Sequence, residues 1–80
     1  MLNRGDVNAL NLIRNRYPRG ATPHAIVAWA TGLDLNDPSH DRAEEASGYL
    51  LLVTLYAKAG DLDTAHEYAV EYNRLMSLNS

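Results

Sequence analysis

The chain has 80 residues, of which 46% are hydrophobic, and its formal net charge at pH 7 is −3. This composition is typical of a folded domain rather than of a disordered segment, and 80 residues are enough for one small domain, 1–80. The chain contains no cysteine, which excludes disulfides and thiolate metal sites and is compatible with a reducing, cytoplasmic compartment. No apolar run reaches the ~18 to 20 residues of a membrane span, and MLNRGD does not resemble a secretion signal.

Charge is distributed unevenly along the sequence. Residues 1–20 contain four arginines against one aspartate, a balance of +3, whereas residues 21–80 contain three cations against nine acids, a balance of −6. An acidic body repels phosphate backbones, while a small basic end can contact an acidic partner.

The first predicted helix spans about 6–17. Asp6 is a suitable N-cap, and apolar side chains recur near one face of the helix. Pro18 and Gly20 follow, and the residue before a proline disfavours helical backbone. We therefore expect the helix to end at Tyr17.

The second predicted helix spans about 22–33. Thr22 is an N-cap residue, and Pro23 follows at the first helical position, where a missing N–H costs nothing. Gly32 provides a natural end, and Trp29 lies on the apolar side of this helix.

Two longer helices are predicted in the second half of the chain, over about 38–59 and 62–76. Asp37 and Pro38 repeat the pattern of a cap followed by proline, Gly60 provides a stop, and Asp61 can cap the last helix. No strand pattern competes with this interpretation. The sequence predicts an all-α, four-helix domain.

The last two predicted helices resemble one tetratricopeptide-type helical hairpin over about residues 47–76. The residues that match the family pattern are Tyr49, Leu52, Tyr56, Lys58, Gly60, Asp61, Leu62 and Ala65. Val53 and Tyr72 depart from it, since the family has small residues at those positions. The resemblance implies an antiparallel helix pair at the C-terminal end of the domain. It also implies that a partner peptide lies along Ser47, Leu50, Thr54, Ala57 and Lys58.

The third predicted helix is apolar around most of its circumference, because leucines and valine fill positions 50–53 and 55. Such a helix is usually buried. Two interpretations remain open: it is the centre of a compact bundle, or one of its faces meets another chain. In the second case, Leu52 is structural while Leu50 and Thr54 contact the partner.

The motifs that would indicate an enzyme or a metal site are incomplete. HEYAV (66–70) lacks the second histidine of the H-E-x-x-H zinc motif. The segment 34–45 has Pro38 where a calcium loop needs a ligand and Ser39 where it needs glycine. There is no Cys–His pair, glycine-rich phosphate loop or nucleophile elbow. We predict neither catalysis nor a cofactor.

One basic segment offers a different function. Arg14, Arg16, Tyr17 and Arg19 place an aromatic ring among arginines, as in some nucleic-acid-binding surfaces. A helix-turn-helix built around Ala28 and Gly32 fails, because Pro38 and several acids occupy its recognition helix. Nucleic acid is therefore the less favoured partner.

The sequence thus favours a non-enzymatic protein–protein interaction module, such as a small adaptor, chaperone or inhibitor. Its partner is another protein or a second copy in a homodimer, and no membrane is involved. The predicted partner-binding residues are Trp29, Ser47, Leu50, Thr54, Ala57 and Lys58. The alternative is a nucleic-acid-associated regulator that uses the segment from Arg14 to Arg19.

Overall fold

A computed structural model describes residues 2–78 of the chain. Within this range it contains four α-helices and no strand, which confirms the all-α prediction. The helices are α1 (Arg4–Arg16), α2 (Pro23–Thr31), α3 (Arg42–Lys58) and α4 (Leu62–Leu78).

Helix α1 begins two residues before the predicted start, and Asp6 is not its N-cap. Asn3 caps the helix by accepting the Asp6 backbone N–H at 2.8 Å, and the Asp6 carboxylate accepts the Asn3 N–H at 3.2 Å. This reciprocal capping box places Asp6 inside the first turn. Tyr17 is the C-cap, as the following proline predicts.

Helix α2 begins as the sequence predicts and ends two residues early, at Thr31. The Thr22 hydroxyl accepts the Ala25 N–H at 3.2 Å, and Pro23 occupies the first turn. Gly32 has a left-handed φ of 72° and closes the helix through its N–H, which donates to the Ala28 carbonyl at 3.0 Å.

Helix α3 begins at Arg42, four residues after the predicted start, because Asp41 rather than Asp37 is the N-cap. The Asp41 carboxylate accepts the Ala43 N–H at 2.8 Å. The Asp37 carboxylate instead accepts the Ser39 N–H at 2.9 Å, which closes a turn around Pro38. Aspartate favours such local turns as readily as helix caps, so the pattern Asp–Pro was misleading here.

Helices α3 and α4 form an antiparallel hairpin around Gly60. Its φ of 82° is left-handed. The N–H of Gly60 donates to the Ala57 carbonyl at 3.1 Å, and that of Asp61 donates to the Tyr56 carbonyl at 3.0 Å. This is the Schellman end of α3. Asp61 then caps α4 by accepting the Thr64 N–H at 3.2 Å. The predicted helix stop at Gly60 and the predicted cap at Asp61 are both confirmed.

The core lies mainly between α3 and α4, which are the most closely packed pair of helices. Tyr49 on α3 and Tyr68 on α4 are each about 1% exposed, and their ring centroids are 6.3 Å apart. Tyr56 stacks on Tyr68 at 5.5 Å. The other buried members of the core cluster are Leu10, Ile13, Ile26, Val27, Leu52, Leu55 and Leu75.

Helix α2 crosses α3 closely at a glycine that the sequence patterns did not single out. A Cβ built on Gly48 would lie 2.8 Å from Cγ2 of Thr31 and 3.0 Å from Cγ1 of Val27. These methyl groups belong to β-branched side chains, which cannot easily move aside. Gly48 is therefore the contact that brings the two helices together.

Helix α1 approaches the other helices less closely than α2, α3 and α4 approach one another. It reaches the core through the buried side chains of Leu10 and Ile13. Because the backbones stay apart, space remains beside α1, and that space becomes the candidate site.

Candidate functional site

Helix α3 divides into a buried and an exposed side. Tyr49, Leu52 and Leu55 are buried in the core. Leu50 is 48% exposed and Leu51 is 69% exposed. One side of α3 thus belongs to the core, and the other side leaves its leucine side chains substantially exposed within residues 2–78.

The exposed side of α3 borders a groove of about 480 Å³ that also contacts α1 and α2. The floor of this groove is apolar and buried, and it includes Ile13, Leu52 and Leu55. Its rim is apolar and exposed: Leu12 is 59% exposed, Trp29 is 38% exposed, and Leu51 is the most exposed of the three. We call this feature the α1–α3 groove.

Small residues line part of the wall of the α1–α3 groove. Ala9 on α1 and Ala30 on α2 both face the groove. An alanine fills little of the space that the loose packing of α1 leaves. The buried floor is thus reachable from outside, while larger neighbours form the rim.

An ion pair and an aromatic contact mark the two ends of this region. At one end, Nζ of Lys58 lies 3.8 Å from Oδ2 of Asp6, so the start of α1 lies beside the end of α3. At the other end, the ring of Tyr17 meets that of Trp29 edge to face, with centroids 5.9 Å apart. The Arg16 guanidinium lies 5.8 Å from the Tyr17 ring centroid.

The structure brings three of the six predicted partner-binding residues to the groove. Trp29, Thr54 and Lys58 line it. Ser47 lines a shallower depression of about 430 Å³ on the other side of Leu51. Leu50 and Ala57 are exposed on α3 and lie outside the lining of both depressions.

Two rim residues, Leu12 and Leu51, were missing from the predicted site. Leu51 lies three residues before Thr54 and seven before Lys58, so the helical period could have placed it on their face. Leu12 had a weaker signal, since it departs from the apolar stripe of α1. Its role emerges only when α1 is packed beside α3.

The basic segment has exposed arginines but a tyrosine engaged in internal contacts. Arg14, Arg16 and Arg19 are exposed, whereas Tyr17 is half-buried. Its ring contacts Trp29 and Arg16, which occupy surfaces that a stacked base would need. The arginines remain available for electrostatic contacts.

Asp34, in the connection between α2 and α3, and Glu45, in the first turn of α3, have structural partners. Oδ1 of Asp34 accepts the Asn36 N–H at 3.1 Å. The Glu45 carboxylate is buried and lies 2.6 Å from Nε2 of His40. Across the part of the chain that the structure describes, no three His, Cys, Asp or Glu side chains are grouped to hold a metal ion.

His40 joins the loop before α3 to the helix itself. Its Nδ1 lies 2.6 Å from the Asp37 carbonyl oxygen, and its Nε2 faces the Glu45 carboxylate. Both neighbours are acceptors, so the imidazolium, which donates from both nitrogens, satisfies both contacts. The pKa of His40 is accordingly raised, first by the Asp37 carbonyl and second by the Glu45 carboxylate.

Comparisons of the chain with protein-family models, with curated proteins and with solved structures give no match. Among the helices within residues 2–78, none has both the length and the apolarity needed to cross a lipid bilayer.

Proposed function

We propose that this chain is a non-enzymatic protein-interaction module that binds another polypeptide at the α1–α3 groove. The observation that carries the proposal is the combination of a buried apolar floor with an exposed apolar rim. The leucines and the tryptophan at that rim remain in contact with water in the isolated chain, and covering them is favourable by about 25 cal/mol per Å² of apolar surface.

Trp29 is the strongest candidate for a binding anchor. Tryptophan is enriched among the residues that dominate interface energies, because it offers a large, rigid apolar surface. Its indole already packs edge to face against the Tyr17 ring, so the side chain loses little conformational entropy when a partner binds. Lys58 and Asp6 add a polar end that can orient the partner.

The resemblance to a tetratricopeptide hairpin supports the same surface. It implies that a partner peptide lies along the inner face of the first helix of the pair, and here that helix is α3. Thr54 and Lys58 belong both to the implied contact set and to the groove lining. More specifically, we propose that the chain acts as a cytoplasmic adaptor, chaperone or inhibitor.

The alternative function, a nucleic-acid-associated regulator, has less support. It relies on Arg14, Arg16, Tyr17 and Arg19, and the Tyr17 ring already has two internal neighbours. The remaining arginines provide charge without a stacking platform, next to an acidic body. Binding to heparin or DNA that persists at physiological salt, and that disappears on Arg→Ala substitution, would favour this alternative.

Site-specific photo-crosslinking tests the proposed function. A photoreactive amino acid replaces Leu51 at the rim or, as a matched control, Leu62 on α4. These leucines are 69% and 68% exposed, so they differ in location and not in accessibility. In lysate of the native host, position 51 is expected to give discrete protein adducts that position 62 does not. Equal or absent labelling at the two positions would contradict the proposal.

A further inference from the structure

Five exposed residues of α3 form a straight seam along its outer side. Their spacings are three, four, three and four residues, the spacing of a helix-pairing seam. The seam runs for about 21 Å along the helix at 1.5 Å per residue. Its members are Glu44, Ser47, Leu51, Thr54 and Lys58, all of them exposed.

The side chains of this seam complement those of a second copy that runs in the opposite direction. Leu51 is at its centre, Glu44 lies seven residues before it and Lys58 seven residues after it. A small hydroxyl residue separates the leucine from the charge on each side. Two antiparallel copies therefore bring each glutamate to a lysine and each leucine to a leucine, whereas two parallel copies bring like charges together.

From this symmetry we propose that α3 pairs with α3 of a second copy in an antiparallel, two-fold homodimer centred on Leu51. The proposal deepens the proposed function and rests on it, because it names a second copy of the chain as the occupant of this surface. The interface is isologous: the same seam is used by both copies, as closed dimers require.

The shape of the surface agrees with this pairing. Leu51 borders both depressions, one shared with Glu44 and Ser47 and the other with Thr54 and Lys58. The small side chains of Ser47 and Thr54 allow helix axes to approach to ~8–10 Å. The leucine of each copy then has an apolar recess beside its counterpart.

An interface of standard size covers only a modest share of the surface of this chain. A standard interface buries about 800 Å² on each partner, which is about 15% of the 5480 Å² accessible surface of this chain. Leu12 and Trp29 flank the seam across the groove and extend the apolar area beyond α3. The seam thus has a hydrophobic centre and charged ends, as interfaces commonly do.

The charged side chains at the two ends of the seam can form ion pairs with a second copy. Within residues 2–78, Glu44 makes no ion pair, and Lys58 makes only a long one to Asp6 at 3.8 Å. Both side chains are exposed in the single chain. An incoming Glu44 can therefore reach Lys58 without breaking a short internal contact.

Charge reversal in the purified full chain tests the proposal by sedimentation equilibrium. Glu44→Lys or Lys58→Glu alone places like charges at both ends of the pair and is expected to weaken dimerisation about tenfold. The double variant, E44K with K58E, restores opposite charges and is expected to dimerise like the natural chain. Mixing the two single variants is expected to give heterodimers.

Two controls separate pairing from folding. Glu67→Lys reverses a charge at an exposed position of α4, outside the seam and the groove, and is expected to leave the dimer intact. Leu51→Ser is expected to abolish the dimer, whereas Leu62→Ser, at an equally exposed position, preserves it. Circular dichroism confirms that each variant is helical before its association is measured.

A chain that stays monomeric up to millimolar concentration overturns the homodimer. So does a dimer that is insensitive to the charge reversals, or a double variant that fails to recover. The proposed function is judged separately, by the crosslinks at position 51. Adducts that contain only other proteins retain the proposed function and reject the second copy, and an absence of adducts rejects both.

Discussion

Nε2 of His40 lies 2.6 Å from Oε1 of Glu45, a carboxylate that is buried in the first turn of α3. A buried charge needs a partner, and this histidine is the partner that the geometry provides. The contact joins the loop after α2 to α3, which forms one side of the candidate site. The protonation state of His40 therefore affects the stability of the start of α3.

The first prediction is that stability depends on the protonation of His40. Because its pKa is raised in the folded chain, the pair contributes fully below the unfolded value of 6.5 and is lost as pH rises through the folded pKa. We expect the melting temperature to fall as pH rises above about 6.5, where histidines and the α-amino group are the groups that change charge. His40→Gln is expected to remove this slope, and His24→Gln, at an exposed position, to retain it. Persistence of the slope in the His40 variant would refute the assignment.

The second prediction concerns neighbouring leucines of α3. Leu52 is 4% exposed in the core, and its truncation to alanine is expected to cost about 2–5 kcal/mol of unfolding free energy. Leu51→Ala and Leu50→Ser remove exposed side chains and are expected to change folding by less than about 0.5 kcal/mol. Urea denaturation of the monomeric chain, at concentrations below the association range, distinguishes the two classes. If Leu51→Ala unfolds the chain as severely as Leu52→Ala, the seam is part of the core and not an interface.

The third prediction concerns the helix crossing at Gly48. Alanine there places a methyl group 2.8 Å from Cγ2 of Thr31. Overpacking typically costs about 1–3 kcal/mol, and the better helix propensity of alanine returns up to about 1 kcal/mol. We expect a net loss of about 1 kcal/mol in chemical denaturation. Ser47→Ala, the preceding exposed position, is the control and is expected to be neutral. A stabilised Gly48→Ala variant would show that α2 and α3 do not require this close approach.

The fourth prediction concerns the hydroxyl of Tyr49, which is buried and has no hydrogen-bond partner among the described residues. Burial raises the pKa of this hydroxyl to about 12, with Glu45 and Glu71 adding to the effect, so the group stays neutral at physiological pH. Removing an unpaired buried hydroxyl relieves a desolvation cost of about 1–3 kcal/mol. We expect Tyr49→Phe to raise the thermal melting temperature.

Tyr68→Phe is the control for this change. The pKa of the Tyr68 hydroxyl is raised, first by burial and second by the neighbouring Tyr56, so this group has a polar neighbour and its removal is expected to lower stability by about 1 kcal/mol. Equal losses in the two phenylalanine variants would indicate that Tyr49 has a partner after all, such as an ordered water molecule.

Much of the helix pattern follows from interactions that are local in the sequence. Thr22 with Pro23 begins α2, and Gly60 with Asp61 makes the turn between α3 and α4. Each contact joins residues at most five positions apart, so the residues that decide it are read together in the chain. The all-α class was predictable for this reason.

The start of α3 was not predictable from local signals alone. Asp37 and Asp41 are both aspartates that could cap a helix, and Asp37 has the stronger pattern because Pro38 follows it. The structure uses Asp41, and Asp37 closes a turn instead. His40 then reaches Glu45, and the burial of that carboxylate depends on the helices packed around it.

The residues of the candidate site could be identified only from the tertiary structure, for the same physical reason. Leu51 and Leu52 are identical side chains on a helix that is apolar around most of its circumference, so periodicity could not decide which one is buried. Which of the two leucines is buried depends on where α2 and α4 pack against α3. The groove exists because α1 stays further away. Local chemistry in the sequence determined where helices begin and end. Packing between distant segments decided which apolar residues remain exposed to a partner.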